Sequence, residues 1–162
     1  MKRIGVMLDC SRNAVPHVKS VKNFIDCLTK MGYNTLELYT EDTYAVEGEP
    51  YFGYLRGRYS SEEICQLDTY AKEKGIELIP CIQTLAHFTA IDRSVYGSII
   101  DTEDILLIDE PKTYEFIENI FQSIAQNFTS RHINIGMDEA HMVGKGKFFD
   151  RFGPADRSEE HT

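Results

Sequence analysis

Four short apolar runs alternate with three amphipathic stretches along this chain, and that alternation narrows the available folds more than any other feature. Residues 3–9 (RIGVMLD), 35–40 (TLELYT), 76–82 (IELIPCI) and 132–136 (HINIG) read as strands. Between the first two, Val18, Val21, Phe24, Ile25, Leu28 and Met31 recur at near-helical spacing, with Pro16 expected at the first helical position and Gly32 at the end. Ser60 and Glu63 form a capping-box pair ahead of Ile64, Leu67 and Ala71, and Gly75 closes that helix. Pro111 opens the clearest stripe, carried by Phe116, Ile117, Ile120, Phe121, Ile124, Ala125 and Phe128. Strand–helix alternation of this kind implies parallel strands joined by right-handed crossovers.

The spacing between strands grows mainly in the loops after them, which is where a (β/α)₈ barrel builds its site. A complete barrel needs about 250 residues, whereas this chain has 162. The expected fold is therefore α/β, a partial TIM (β/α)₈ barrel of about four strands and three helices, with residues 1–156 forming its N-terminal half. A flavodoxin-like sheet competes, but its glycine-rich phosphate loop after the first strand is missing. Residues 157–162 (RSEEHT) are set aside as a non-biological tail. Alone, a half-barrel with open edge strands is expected to be unstable, self-associating or inactive.

Charge and composition remove several partners. With 17 basic and 26 acidic residues the net charge is −9, which offers phosphate backbones no footprint, so nucleic acid is not expected as a partner. Apolar residues at 42% are too abundant for a disordered tail. No apolar run reaches membrane-spanning length and no greasy leader follows Met1, so the expectation is no membrane partner and a cytoplasmic location. Cys10, Cys27, Cys65 and Cys81 lie far apart without metal-ligand spacing and read as reduced thiols. Oligomeric state is open.

Adjacent acidic pairs occur at Glu41-Asp42, Glu62-Glu63, Glu103-Asp104, Asp109-Glu110 and Asp138-Glu139. Most are solvated helix starts or loops. Asp42 and the Asp138-Glu139 pair instead follow strand-like segments, at the mouth of the expected barrel. Desolvation and a neighbouring like charge there raise a carboxyl pKa, so that one group holds a proton at neutral pH and serves as a general acid.

The run INIGMDEAH (133–141) resembles the strand-four motif of the family 20 glycoside hydrolases, the β-N-acetylhexosaminidases, written H-x-G-G-D-E. His132, Gly136, Asp138 and Glu139 are matched to it, with Met137 replacing the second glycine. DCSRNAV (9–15) is similar to the family's D-x-S-R segment, and Asp42 falls where the family has an aspartate after strand two. IPCIQTLAHF (79–88) resembles P-E-I-D-x-P-G-H, keeping Pro80 and His87 while Cys81, Gln83, Leu85 and Ala86 depart.

The resemblance implies an exo-β-N-acetylhexosaminidase that removes terminal GlcNAc or GalNAc from a glycan or glycoside with retention. The substrate's own 2-acetamido oxygen would attack the anomeric carbon. Glu139 would protonate the leaving oxygen and later activate water, while Asp138 would hold the acetamido N–H and stabilise the charge that develops there. His87 and Asp42 would bind substrate at the edge of the site or serve its proton network. No cofactor and no metal are implied. Asp9 and Arg12 are expected to pair structurally, and Arg56 and Arg58 to be solvated. Two other classes stay open: a metal-assisted barrel hydrolase or isomerase using His87, Glu139 and His141, and a non-catalytic glycan-binding half-barrel.

Overall fold

The computed structural model describes residues 2–12 and 14–154; the tail at 157–162 lies outside them. Three strands, β1 (Gly5–Asp9), β2 (Thr35–Glu41) and β3 (Glu77–Ile82), form a parallel sheet in the order β1-β2-β3. The register aligns Val6 with Leu36 and Leu78, and Leu8 with Leu38 and Pro80. That row faces the helices. The alternate row, Met7, Glu37 and Ile79 followed by Asp9, Tyr39 and Cys81, faces the opposite side. Helices α1 (Val18–Lys30) and α2 (Ser61–Glu73) cover the first row with Val21, Ile25, Leu28, Ile64, Leu67 and Ala71, all buried.

The capping box at Ser60 and Glu63 forms in both directions: the Ser60 hydroxyl accepts from the Glu63 N–H, and the Glu63 carboxylate accepts from the Ser60 N–H. Pro111 occupies the first turn of α4 (Pro111–Asn127). Phe116 of α4 meets Phe52, Phe88 and Tyr96 at ring-centroid distances of 5.5, 6.1 and 5.4 Å. Phe52 and Phe88 belong to the long loops after β2 and β3. One buried aromatic group therefore fixes both loops against one helix.

Three expectations are corrected. The sheet has three regular strands, and the helices number five among the described residues, because α3 (Arg93–Tyr96) and α5 (Lys147–Phe152) are too short to leave a periodic trace. Residues 132–136 are not a full strand. They meet β3 through one parallel bridge, Cys81 to Asn134, and Gly136 at φ +54° then turns the chain away. Helix α1 begins at Val18 rather than Pro16, since the Pro16 carbonyl accepts the Tyr59 hydroxyl at 2.6 Å and His17 takes the cap. The coarser expectation stands: α/β, parallel, with the layout of part of a barrel. No described helix is long and apolar enough to cross a membrane.

Ser60→Ala removes the side-chain half of the capping box and should lower stability by about 1 kcal/mol. Urea denaturation followed by circular dichroism checks this; an unmoved midpoint contradicts the role given to Ser60.

Candidate active site

Segment 134–136 runs alongside β3 on main-chain hydrogen bonds. Asn134 N–H donates to Pro80 O (2.9 Å), Ile82 N–H to Asn134 O (2.9 Å) and Thr84 N–H to Gly136 O (3.3 Å). A Cβ at position 136 would lie 2.1 Å from Ile82 O and 2.6 Å from Gln83 Oε1, so only glycine permits this approach. The fastening brings the Asp138-Glu139 turn over the C-terminal end of β3.

There it meets His87. The imidazole Nε2 lies 3.6 Å from Asp138 Oδ2 and 3.6 Å from Glu139 Oε2. On the other side of the ring, Nδ1 is 3.5 Å from Glu41 Oε1 and 3.4 Å from Arg12 Nη2. Nδ1 thus faces both a donor, the Arg12 guanidinium, and an acceptor, the Glu41 carboxylate, while Nε2 is buried and points between the two carboxylates without a hydrogen bond among the described residues. Glu41 also accepts from the Tyr39 hydroxyl (2.9 Å) and pairs with Arg12 (3.3 Å). Gln83 Nε2 then links Tyr39 Oη (3.1 Å) to Asp138 Oδ1 (3.3 Å).

The backbone is strained at the same place. Five described non-glycine residues have positive φ, and three are Glu41 (+47°), His87 (+66°) and Glu139 (+56°). Each such residue costs on the order of 1 kcal/mol and persists only where its surroundings hold it. For Glu139 the turn has a clear effect. Successive side chains of an extended segment point to opposite faces, and the left-handed residue lets both carboxylates reach one imidazole.

Asp138 departs from the expected raised carboxyl. The Asp138 and Glu139 side chains are 64% and 69% exposed. What burial Asp138 has pushes its carboxyl up, but its own backbone N–H, the Gln83 amide and His87 together leave it below the ordinary value. The Asp138 carboxyl is thus held in its ionised form at neutral pH. Burial raises the Tyr39 hydroxyl, with Glu41 adding to it, so the phenol stays protonated. The Cys81 thiol is likewise pushed up to about 12 by burial and is no thiolate nucleophile.

Asp42 lies elsewhere in the arrangement. It is buried, both its oxygens are 3.2 Å from Arg56 Nε, and Arg56 Nη2 donates to Ser11 O at 2.7 Å. This pair ties the loop after β2 to the loop after β1. Glu41, one residue earlier, is the acid that faces His87. Asp9 accepts from the Ser11 N–H and hydroxyl rather than from Arg12, which turns to Glu41 and His87 instead. Arg58 donates to Phe52 O, so neither Arg56 nor Arg58 is merely solvated. His132 sits at the far end of β3, with Nδ1 2.7 Å from Glu77 Oε1. The motif's histidine stands four residues before its aspartate, and Asn134 holds that position here; its Oδ1 accepts from the Gly136 N–H at 3.1 Å. Exposed His141 joins no group: among the described residues, no three His, Cys, Asp or Glu are arranged to hold a metal ion.

Sequence reasoning missed Glu41, Tyr39 and Arg12 as members of the cluster. The period of two in β2 was the available signal, since Tyr39 and Glu41 share a face. The pairing with β3 shifts register between them.

Comparison with known proteins gives the family and the fold. The family description "Glycosyl hydrolase family 20, catalytic domain" matches residues 45–148. A beta-hexosaminidase of Vibrio furnissii is 31% identical over 176 residues, covering 83% of this chain and 28% of the relative. Beta-hexosaminidase subunit A1 of Dictyostelium discoideum is 28% identical, with the same two coverages of 83% and 28%. Thus the chain spans less than a third of the length of these curated relatives. A solved chitobiase of Flavobacterium johnsoniae superposes with a TM-score of 0.76 at 28% identity, over 92% of this chain and 25% of the other. The exo beta-N-acetylglucosaminidase of Vibrio harveyi, solved with N-acetylglucosamine, superposes at 0.83 over 97% of this chain and 31% of the other, and at 23% identity shows the shared fold.

Two outcomes are expected. Gly136→Ala should cost about 1–3 kcal/mol and remove hydrogen-exchange protection from the Thr84 N–H; unchanged protection there contradicts the fastening. At the other end of β3, the His132 hydrogen bond, helped by Ser130 and Arg3 against a burial penalty, lowers the Glu77 carboxyl. A depressed carboxyl stabilises fully above the unfolded value of about 4.3, and that contribution is lost as pH falls through the folded value. His132→Ala should therefore flatten the acid limb of the stability–pH curve, and an identical limb contradicts the pairing.

Proposed function

The chain belongs to glycosyl hydrolase family 20, and from that membership we propose that the protein it forms part of cleaves terminal N-acetylhexosamine, GlcNAc or GalNAc, from a glycan or glycoside. Residues 1–156 would supply the first half of its catalytic barrel. The observation that carries the reading is the convergence of Asp138 and Glu139 on His87 Nε2, 3.6 Å from each, at the C-terminal end of parallel strands.

The chemistry follows from what each group can do. Asp138, ionised, accepts the acetamido N–H and stabilises the positive charge that grows on that group as its carbonyl oxygen closes on the anomeric carbon. The attacking group is part of the same sugar ring, so orientation is built into the substrate and no enzymic nucleophile is needed. Glu139 donates a proton to the departing glycosidic oxygen and later takes one from the attacking water. His87 holds the two carboxylates at a common distance and is itself held by Glu41 and Arg12. Asp42 supports the site at one remove, through Arg56 and the β1 loop.

In the full-length protein, Glu139→Gln and Asp138→Asn should each lower kcat on an aryl N-acetyl-β-glucosaminide by about 10²–10⁴-fold, with circular dichroism unchanged. Near-native turnover in both variants overturns the proposal.

A further inference from the structure

Position 83 is where this chain leaves the P-E-I-D-x-P-G-H pattern most consequentially, putting a neutral amide where that pattern has a carboxylate. Gln83 is 1% exposed, and its Nε2 spans Tyr39 Oη and Asp138 Oδ1 at 3.1 and 3.3 Å. Its Oε1 is buried without a hydrogen-bond partner, against the one residue of the turn that lacks a Cβ, Gly136. We infer that Gln83 is the positioning residue of Asp138: a buried amide that fixes the carboxylate's direction by donating to it, and whose own orientation depends on whether Asp138 carries a proton.

The chemistry of the amide requires this coupling. A carboxylate accepts only, so an ionised Asp138 must face the NH₂ end of Gln83. A protonated Asp138 would donate, and would then face the oxygen better. The unpartnered Oε1 is the measure of how far the surroundings favour the first arrangement, because a buried acceptor without a donor is disfavoured unless the opposite end gains more. The groups facing Asp138 are Tyr39 and, behind it, Glu41 from β2 with Arg12 beyond; Cys81 from β3; His87 from the loop; and Glu139 next in the chain. Beside these, Gln83 is the neutral amide in contact with the Asp138 carboxylate. A carboxylate at position 83 would instead share a proton with Asp138.

This role bears on catalysis only if the proposed function holds, but its test needs no substrate, so the two fail separately. Carbon-13 carboxyl shifts of Asp138 and side-chain amide shifts of Gln83 are followed by NMR from pH 7 downward in the full-length protein, isotope-labelled at Asp and Gln. The Gln83 NH₂ resonances should move with the same midpoint as the Asp138 carboxyl. In Gln83→Glu the Asp138 midpoint should rise by about one pH unit or more; in Gln83→Met it should rise less. A residue that merely filled space would alter thermal stability without moving that midpoint. If Gln83→Glu fails to fold, the unsubstituted full-length protein decides alone. Gln83 amide resonances that stay fixed through the Asp138 titration overturn the inference, as does an unmoved midpoint in a folded Gln83→Glu.

Discussion

The candidate site depends on the fastening of residues 134–136 to the open side of β3. Three main-chain hydrogen bonds hold a segment that is otherwise exposed on both faces, and Gly136 permits the contact by lacking a side chain. Because the last of these bonds is made by Gly136 itself, the turn that follows starts from a fixed point two residues before Asp138. If that edge slips, the sheet keeps its helices and most of its core. It loses the opposition of Asp138 and Glu139 to His87.

A second constraint lies in the backbone. Glu41, His87 and Glu139 come from three different parts of the chain, yet each takes the left-handed conformation, and their side chains meet. Such strain persists where surrounding packing holds it. Part of that holding comes from the aromatic group around Phe116, which clamps the loops after β2 and β3, and part from Arg56, which joins Asp42 to the β1 loop. The core and the site are thus connected through loops that are themselves well packed, which suits a site whose groups must be kept in fixed relation.

Local signals in the sequence were read well where a single element determines the outcome. Ser60 with Glu63, Pro111 in the first turn of α4 and the apolar stripes of the long helices are local features, and they appear as expected. The fourth strand was read from the apolar run HINIG, but a strand needs partners, and this segment has one neighbour among the described residues. At the site, Asp138, Glu139 and His87 were recognisable by motif. Glu41 was not, because adjacent acids look alike in a sequence, and the contacts that separate them, Glu41 to His87 and Asp42 to Arg56, come from distant parts of the chain. Matching His132 to the motif failed for a simpler reason: the spacing to Asp138 is two residues too long, and Glu77 holds that ring at the other end of the strand.

The most direct test of the account is the structure of the full-length protein with an N-acetylglucosamine thiazoline, a stable mimic of the cyclised acetamido intermediate. The account predicts the thiazoline nitrogen within hydrogen-bond distance of Asp138, the Glu139 carboxyl beside the anomeric centre, and His87 behind both. A thiazoline seated away from this cluster, or one touching neither carboxylate, would contradict it.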